Sequence, residues 1–162
     1  MSTLEIKDKK YDILDVDENC TFRINIDVLN EAFGVGRGMY ARACYPDKKN
    51  TFFAEEKGNR KFFIWMPKLY SNTSEWDNKI SPDGRYIYED AAPTRKEDWL
   101  HNDSPLNGNY RIVFIKKSPQ DPYKYVGVFK DDVRDYMHHR YLRVAKRIRL
   151  IGNPVWKIEV LE

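Results

Sequence analysis

Aromatic rings beside charged side chains are the chemistry that this 162-residue sequence offers most of. It holds 4 Trp, 11 Tyr and 8 Phe, mostly next to a Lys, Arg or carboxylate in short strand-like runs. Indole and phenol rings pair an apolar body with a polar tip, so they line recesses where a planar ligand stacks while hydrogen bonds orient it. Nucleobases are such ligands. The rings that stand out by their place in such runs are Trp65, Tyr70 and Trp76, with Asp77 and Asn78 beside Trp76. The cations are Lys68, Lys79, Arg85 and the stripe Arg140, Arg143, Arg147 and Arg149, for which a phosphate-contacting role is one reading. Each has a plainer reading. Trp65 lies in FFIWM, a run that suits a core strand. Trp76, in a polar stretch, either folds back on the core or meets a ligand. The stripe also fits a solvated strand face. Trp99 and Trp156 are assigned to packing.

Other chemistry is poorly supplied. A metal-dependent nuclease would draw on Asp47 with Glu55, Glu56 and Lys57, or on Asp83 with Glu89 and Asp90. In the first set Lys57 abuts the Gly58-Asn59 turn, and in the second no lysine follows two residues after the acid. His138 and His139 are adjacent and cannot share a metal from one strand, and only His101 remains to join them. No cofactor or metal is expected. Gly34, Gly36 and Gly38 follow a predicted helix, the reverse of the dinucleotide-binding order, and read as a corner or as an anion nest beside Arg37. Cys20 and Cys44 match no metal spacing and are read as thiols.

The elements that must position these residues are short strands. Residues 11–16 and 21–26 are expected to pair as a hairpin, followed by a small helix capped by Asp27 and running through Phe33. Further strands are expected at 39–45, 50–55, 61–66, 85–89, 110–116, 123–130, 141–151 and 155–161. Lys57-Gly58-Asn59 is the turn of one hairpin, and Ser118 to Pro122 of another. Residues 67–82 read as a long loop holding Trp76, and Thr94 with Glu97 as a capping box opening a second helix to Leu100 or His101. The expected fold is α+β: one domain over 1–162, a strongly bent antiparallel sheet or β-barrel with two or three short helices. No apolar run is long enough to span a membrane, and Met1 to Lys10 do not read as a secretory signal, so a cytoplasmic location is expected. The net charge of +3 from 28 basic and 25 acidic residues names no partner by itself.

Two longer patterns carry a family likeness. One runs from Phe63 to Glu89 and contains IWMPKLY and EWDNKISPDGRYIYE. The other runs from Tyr110 to Leu150 and contains YRIVFIKK, YKYVGVFKDD and YLRVAKRIRL. Together they resemble the PUA-like nucleic-acid recognition modules of the EVE and SRA type, found with bacterial restriction-type proteins and mobile elements. The resemblance implies a β-barrel, no catalytic residues, and a DNA partner read through a modified or flipped base in an aromatic pocket, with Trp65, Tyr70 and Trp76 as its rings, Asp77 and Asn78 as edge readers, and Lys68, Lys79, Arg85 and the stripe Arg140, Arg143, Arg147 and Arg149 on the flanking phosphates. Unstacking the base costs about a few kcal/mol, which such a pocket has to recover. It also implies company with a nuclease or other defence protein. A small phage or mobile-element protein that binds and inhibits a host defence enzyme is the second reading, drawing on the acidic runs at Asp15, Asp17 and Glu18 and at Asp131, Asp132 and Asp135. A nuclease is the third.

Overall fold

The chain's most continuous apolar runs fall in two segments that become neighbours. The computed structural model describes residues 8–36, 38, 43–46, 51–70, 76–91, 109–135 and 138–162. Within them, β5 (Lys61–Trp65) lies parallel to β8 (Tyr110–Lys116), with Phe62 opposite Tyr110 and Trp65 opposite Val113. Both strands are buried on both faces, which is why they read as continuous apolar runs. β8 turns back antiparallel into the longest strand, β9 (Tyr123–Asp135), and β9 pairs with β10 (His138–Ala145).

The remaining strands extend this centre into one twelve-stranded sheet among the described residues. On one side, β4 (Phe53–Glu55) joins β5 through the expected Lys57-Gly58-Asn59 turn, and β12 (Val155–Val160) pairs with β4 in parallel. β11 (Arg147–Gly152) and β1 (Ile13–Asp15) follow β12. On the other side, β10 carries β7 (Tyr86–Ala91), and β7 carries β6 (Trp76–Ile80). Two short strands pair off this path, β2 (Thr21–Phe22) with β9 and β3 (Cys44–Tyr45) with β5. The sheet is mixed, bent and mostly antiparallel, in keeping with a PUA-like α+β fold.

Each face of the sheet has its own core. The larger is built on Phe22, Phe33, Phe62, Ile64, Ile112, Phe114, Tyr125, Ile148 and Ile158 and is covered by the helical segment. That segment, α1 (Asn25–Asp27), continues as a π-helical stretch over Val28–Ala32. The second core holds Phe52, Phe63, Trp65, Ile87, Val113, Ile115, Val126, Phe129 and Tyr141. A bulge in β9 lets the strand serve both. Val113 faces Gly127 and Phe114 faces Tyr125, so Val126 is extra, and Gly127 adopts φ +119°. Tyr125 and Val128 then join the first core, Val126 and Phe129 the second.

Several local expectations are revised. The segments at 11–16 and 21–26 do not form a hairpin: β1 pairs with β11 and β2 with β9, because the turn at Val16–Glu18 and the left-handed Asn19 (φ +52°) send them to different partners. Asp27 does not cap the helix, which begins two residues earlier, and its carboxylate is buried 3.9 Å from Arg23. The strand expected over 141–151 is two strands broken at Lys146, whose amide bonds to Glu162 O; on β11 Ile148 and Leu150 are buried with Arg147 and Arg149 on the other face, whereas on β10 the buried side chains are Tyr141 and Ala145. Residues 76–80 are strand, not loop. Trp156 is 59% exposed under the Lys157 ammonium, not packed. The second expected helix lies outside the described residues, as does Trp99. Cys20 and Cys44 are both unbridged, Cys20 in the first core. No helix among the described residues is long and apolar enough to cross a membrane.

Two consequences are measurable. Phe114 is fully buried against the rings of Phe22, Phe33 and Tyr125, so Phe114→Ala should cost about 3–5 kcal/mol in urea denaturation, whereas Trp156→Ala should stay within about 0.5 kcal/mol. The Glu55 carboxyl is held below its ordinary pKa by the Arg60 side chain, whose Nε donates to Oε2 at 2.8 Å. A depressed carboxyl stabilises the fold above its unfolded value and loses that contribution as pH falls through the lowered one. Glu55→Gln should therefore be less stable than the parent chain at pH 7, with the gap closing on acidification below about pH 4.

Candidate nucleic-acid interface

Pairing register gathers polar groups at one end of the second core. Residues directly opposite in antiparallel strands share a face. Across β6, β7 and β10, Ile80, Ile87 and Tyr141 form one row, and Ile87 and Tyr141 are buried in the second core with Ile80 packed against them. Two residues along each strand, on the same face, stand Asn78, Glu89 and His139. This half-buried row lies where the apolar floor ends.

The row is tied to the floor through Tyr141, whose hydroxyl donates to Glu89 Oε1 at 2.8 Å. Burial raises the Tyr141 phenol well above its ordinary pKa, so it stays a neutral donor. The same Glu89 oxygen lies 3.8 Å from His139 Nδ1, and the two side chains are only 16% and 11% exposed. Asn78 Nδ2 donates to Lys68 O at 3.3 Å, while its Oδ1 is buried with no hydrogen-bond partner among the described residues. A buried carbonyl oxygen left unbonded carries a desolvation penalty that a donor can relieve.

Behind Tyr141 lies a buried cation. Arg111, 5% exposed, sets its guanidinium 4.3 Å from the Tyr141 ring centroid, 4.8 Å from Trp65 and 5.1 Å from Phe63. Its Nε has no hydrogen-bond partner among the described residues. Three desolvated ring contacts, worth about 2 kcal/mol or more each at best, offset the cost of taking the charge out of water.

The residues singled out from sequence are spread unevenly around this site. Trp65 is 4% exposed and forms part of the floor, edge-on to Tyr141 at 5.1 Å. Tyr70 is half-buried with Lys68 Nζ 6.0 Å from its ring centre. Trp76 opens β6 opposite Ala91, two residues before Asn78. Asp77 is exposed and 3.5 Å from Lys79 Nζ. The stripe divides: Arg140 pairs with Asp132 at 2.6 Å, Arg147 with Asp15 at 3.1 Å and Arg149 with Glu159 at 2.5 Å, while Arg143 points toward Gly84 and Gly127 beside Arg85. Of the carboxylates weighed for a nuclease, Glu55 is tied to Arg60, Glu56 to Lys157 and Asp83 to its own turn; Asp47 lies outside the described residues. Tyr141 and Arg111 were not singled out from sequence, and Glu89 and His139 only in the nuclease and metal readings. The alternation in RYIYE, set against WDNKI, was the signal that pairs Glu89 with Asn78.

A bent sheet with a polar row at the edge of an aromatic core is an arrangement suited to recognition, and the comparisons with known proteins place the chain in a recognition family. The sequence matches the SET and RING associated (SRA) domain over residues 6–150, and the chain belongs to that family. Among solved structures it is similar to the 5-hydroxymethylcytosine-specific restriction enzyme AbaSI, with a TM-score of 0.63 and 26% identity. The similarity covers 85% of this chain but 42% of that one, so the chain spans less than half the enzyme's length. No curated protein matches the sequence. The likeness to a PUA-like, SRA-type modified-base module, carried in the sequence by WDNKISPDG and the Tyr110 to Leu150 pattern, is thereby established.

Tyr141→Phe keeps the ring on Arg111 and Trp65 but leaves Glu89 without its donor. It should cost about 1–3 kcal/mol in chemical denaturation, more than Tyr88→Phe on the exposed side.

Proposed function

We propose that this chain binds DNA and reads a modified base, extruded from the duplex, at the Asn78 and Glu89 end of the second core. The observation that carries this is the facing pair itself: an amide with an unsatisfied buried oxygen opposite a carboxylate held by Tyr141, at the margin of an aromatic cluster. The edge of cytosine offers an amino donor beside two acceptors. A glutamate accepts from that amino group, and an asparagine donates to the acceptors while its oxygen takes a donor in return. A hydroxymethyl group brings one more hydroxyl that such a rim can bond, and a similar solved protein is specific for 5-hydroxymethylcytosine, which makes a 5-modified cytosine the favoured ligand. Trp76, two residues from Asn78, is the proposed stacking ring, with Tyr70 and Trp65 as further wall and floor. Lys68, Lys79 and the arginines of β10 and β11 are the proposed phosphate contacts, and a nuclease or other defence protein the proposed partner.

Binding to duplexes with and without one 5-hydroxymethylcytosine, at two salt concentrations, tests the reading. A reader prefers the modified duplex at both, whereas a merely cationic surface ignores the modification and weakens steeply with salt. Asn78→Ala and Glu89→Gln should each lower the preference by about tenfold or more, an effect of about 1–3 kcal/mol per base contact, and Trp76→Ala should reduce it with folding intact. Equal binding of both duplexes by the parent chain would remove the reading.

A further inference from the structure

One concavity on the described surface plays no part in the base-reading row. It is a cleft of about 350 Å³ lined by Arg85, Arg143, Val144, Ala145, Lys146 and Glu162. Three of its six lining side chains are cationic. Unlike Arg140, Arg147 and Arg149, each of which already pairs with a carboxylate, Arg85, Arg143 and Lys146 take part in no ion pair among the described residues. The one acid in the cleft, Glu162, reaches toward Arg147 at 3.4 Å.

The backbone around Arg143 is shaped to hold it. A second bulge, where Phe129 faces Arg143 and Val128 faces Ala145, leaves Val144 extra and re-aims the strand beside Arg143. The Arg143 stem crosses Gly127, where a Cβ would come within 2.6 Å of Arg143 Cδ, and its guanidinium lies against Gly84, where a Cβ would sit 3.0 Å from Nη1. Both glycines have positive φ, +119° and +75°. Gly84 closes the Ser81-Pro82-Asp83-Gly84 turn with Gly84 N donating to Ser81 O at 2.9 Å, and Asp83 Oδ1 accepts from Ser81 Oγ and Arg85 N. Arg143 N then donates to Arg85 O at 2.8 Å, setting the two arginines side by side. The two face each other at the end of the β7 and β10 pairing and line one cleft.

We infer that this cleft is a phosphodiester-binding site, with Arg143 as its pre-oriented fork and Arg85 and Lys146 as flanking cations. A planar guanidinium held between two glycines loses little freedom on binding and matches the geometry of phosphate oxygens. The inference rests on the DNA-reading proposal and deepens it. Arg143 is four residues along β10 from His139, about 13 Å at about 3.3 Å per residue, so the phosphate belongs to a nucleotide flanking the extruded one. The SPDG turn, which the base-reading row leaves unexplained, becomes the element that presents Arg85.

The experiment measures affinity against salt for modified and unmodified duplexes, together with a series of duplexes carrying one neutral methylphosphonate at successive positions. Arg143→Gln should weaken binding roughly tenfold, as expected for one charge-assisted contact, and make the slope of log affinity against log salt shallower by about 0.9. Arg143→Lys should restore the slope but not all the affinity. In the parent chain one methylphosphonate position should reproduce the loss, and in Arg143→Gln that position should cost nothing further. Arg85→Gln and Lys146→Gln, on exposed side chains, give the same readout should Arg143→Gln fold poorly. Unchanged slopes in all three variants, or methylphosphonate effects that persist in them, would overturn the site. Thermal protection by inorganic phosphate that depends on Arg143 without any coupling to DNA phosphates would instead mark a free-anion site and also overturn it. Preference for the modified base with no Arg143 coupling sinks this inference alone, while Arg143-coupled binding without preference sinks the base-reading proposal alone.

Discussion

The β8–β9 hairpin carries apolar side chains on both faces, Ile112 and Phe114 on one and Val113 and Ile115 on the other, so it is stable only when covered twice. The first cover is the helical segment Asn25–Ala32 with β1, β11 and β12. The second is a cluster of rings and branched side chains closed over by β6 and β7. Two parallel pairings, β5 with β8 and β4 with β12, follow from this demand, since they bring distant segments together over the same hairpin. Non-local contacts of this kind require long loops to close before they stabilise anything.

The second core ends in polarity, and that margin is where linked polar side chains gather. Arg111 places a positive charge behind Tyr141, Tyr141 passes a hydrogen bond to Glu89, and Glu89 stands opposite Asn78. Each link is held by packing and not by loop conformation, so these side chains are oriented without a ligand. The basic cleft at the other end of β7 and β10 is built by different means, two glycines and a bulge, yet lies on the same pair of strands.

The sheet's middle was legible in the sequence because β5, β8 and the first half of β9 are apolar-rich runs with turn residues between them. The ends were not. β6 reads as loop because WDNKI has polar residues at three of five positions, and it becomes a strand only through pairing with β7. The break at Lys146 is invisible to alternation, since a bulge changes which face a residue takes without changing composition. At the candidate site, the aromatic and WDN signals pointed to β6 but stopped at its own residues. Glu89 and Tyr141 are 11 and 63 residues from Asn78 in sequence, and only strand register brings them together.

β6 is the last strand of the sheet's path, and its outer backbone has no partner among the described residues. Such a rim invites another chain to add on, a hazard that folded proteins counter with charge. Asp77 and Lys79, exposed on this strand, supply charges of both signs there. They guard against strand addition whatever they do for a ligand. Neutralising them to adjust specificity therefore carries a separate risk, the stacking of one molecule onto the next.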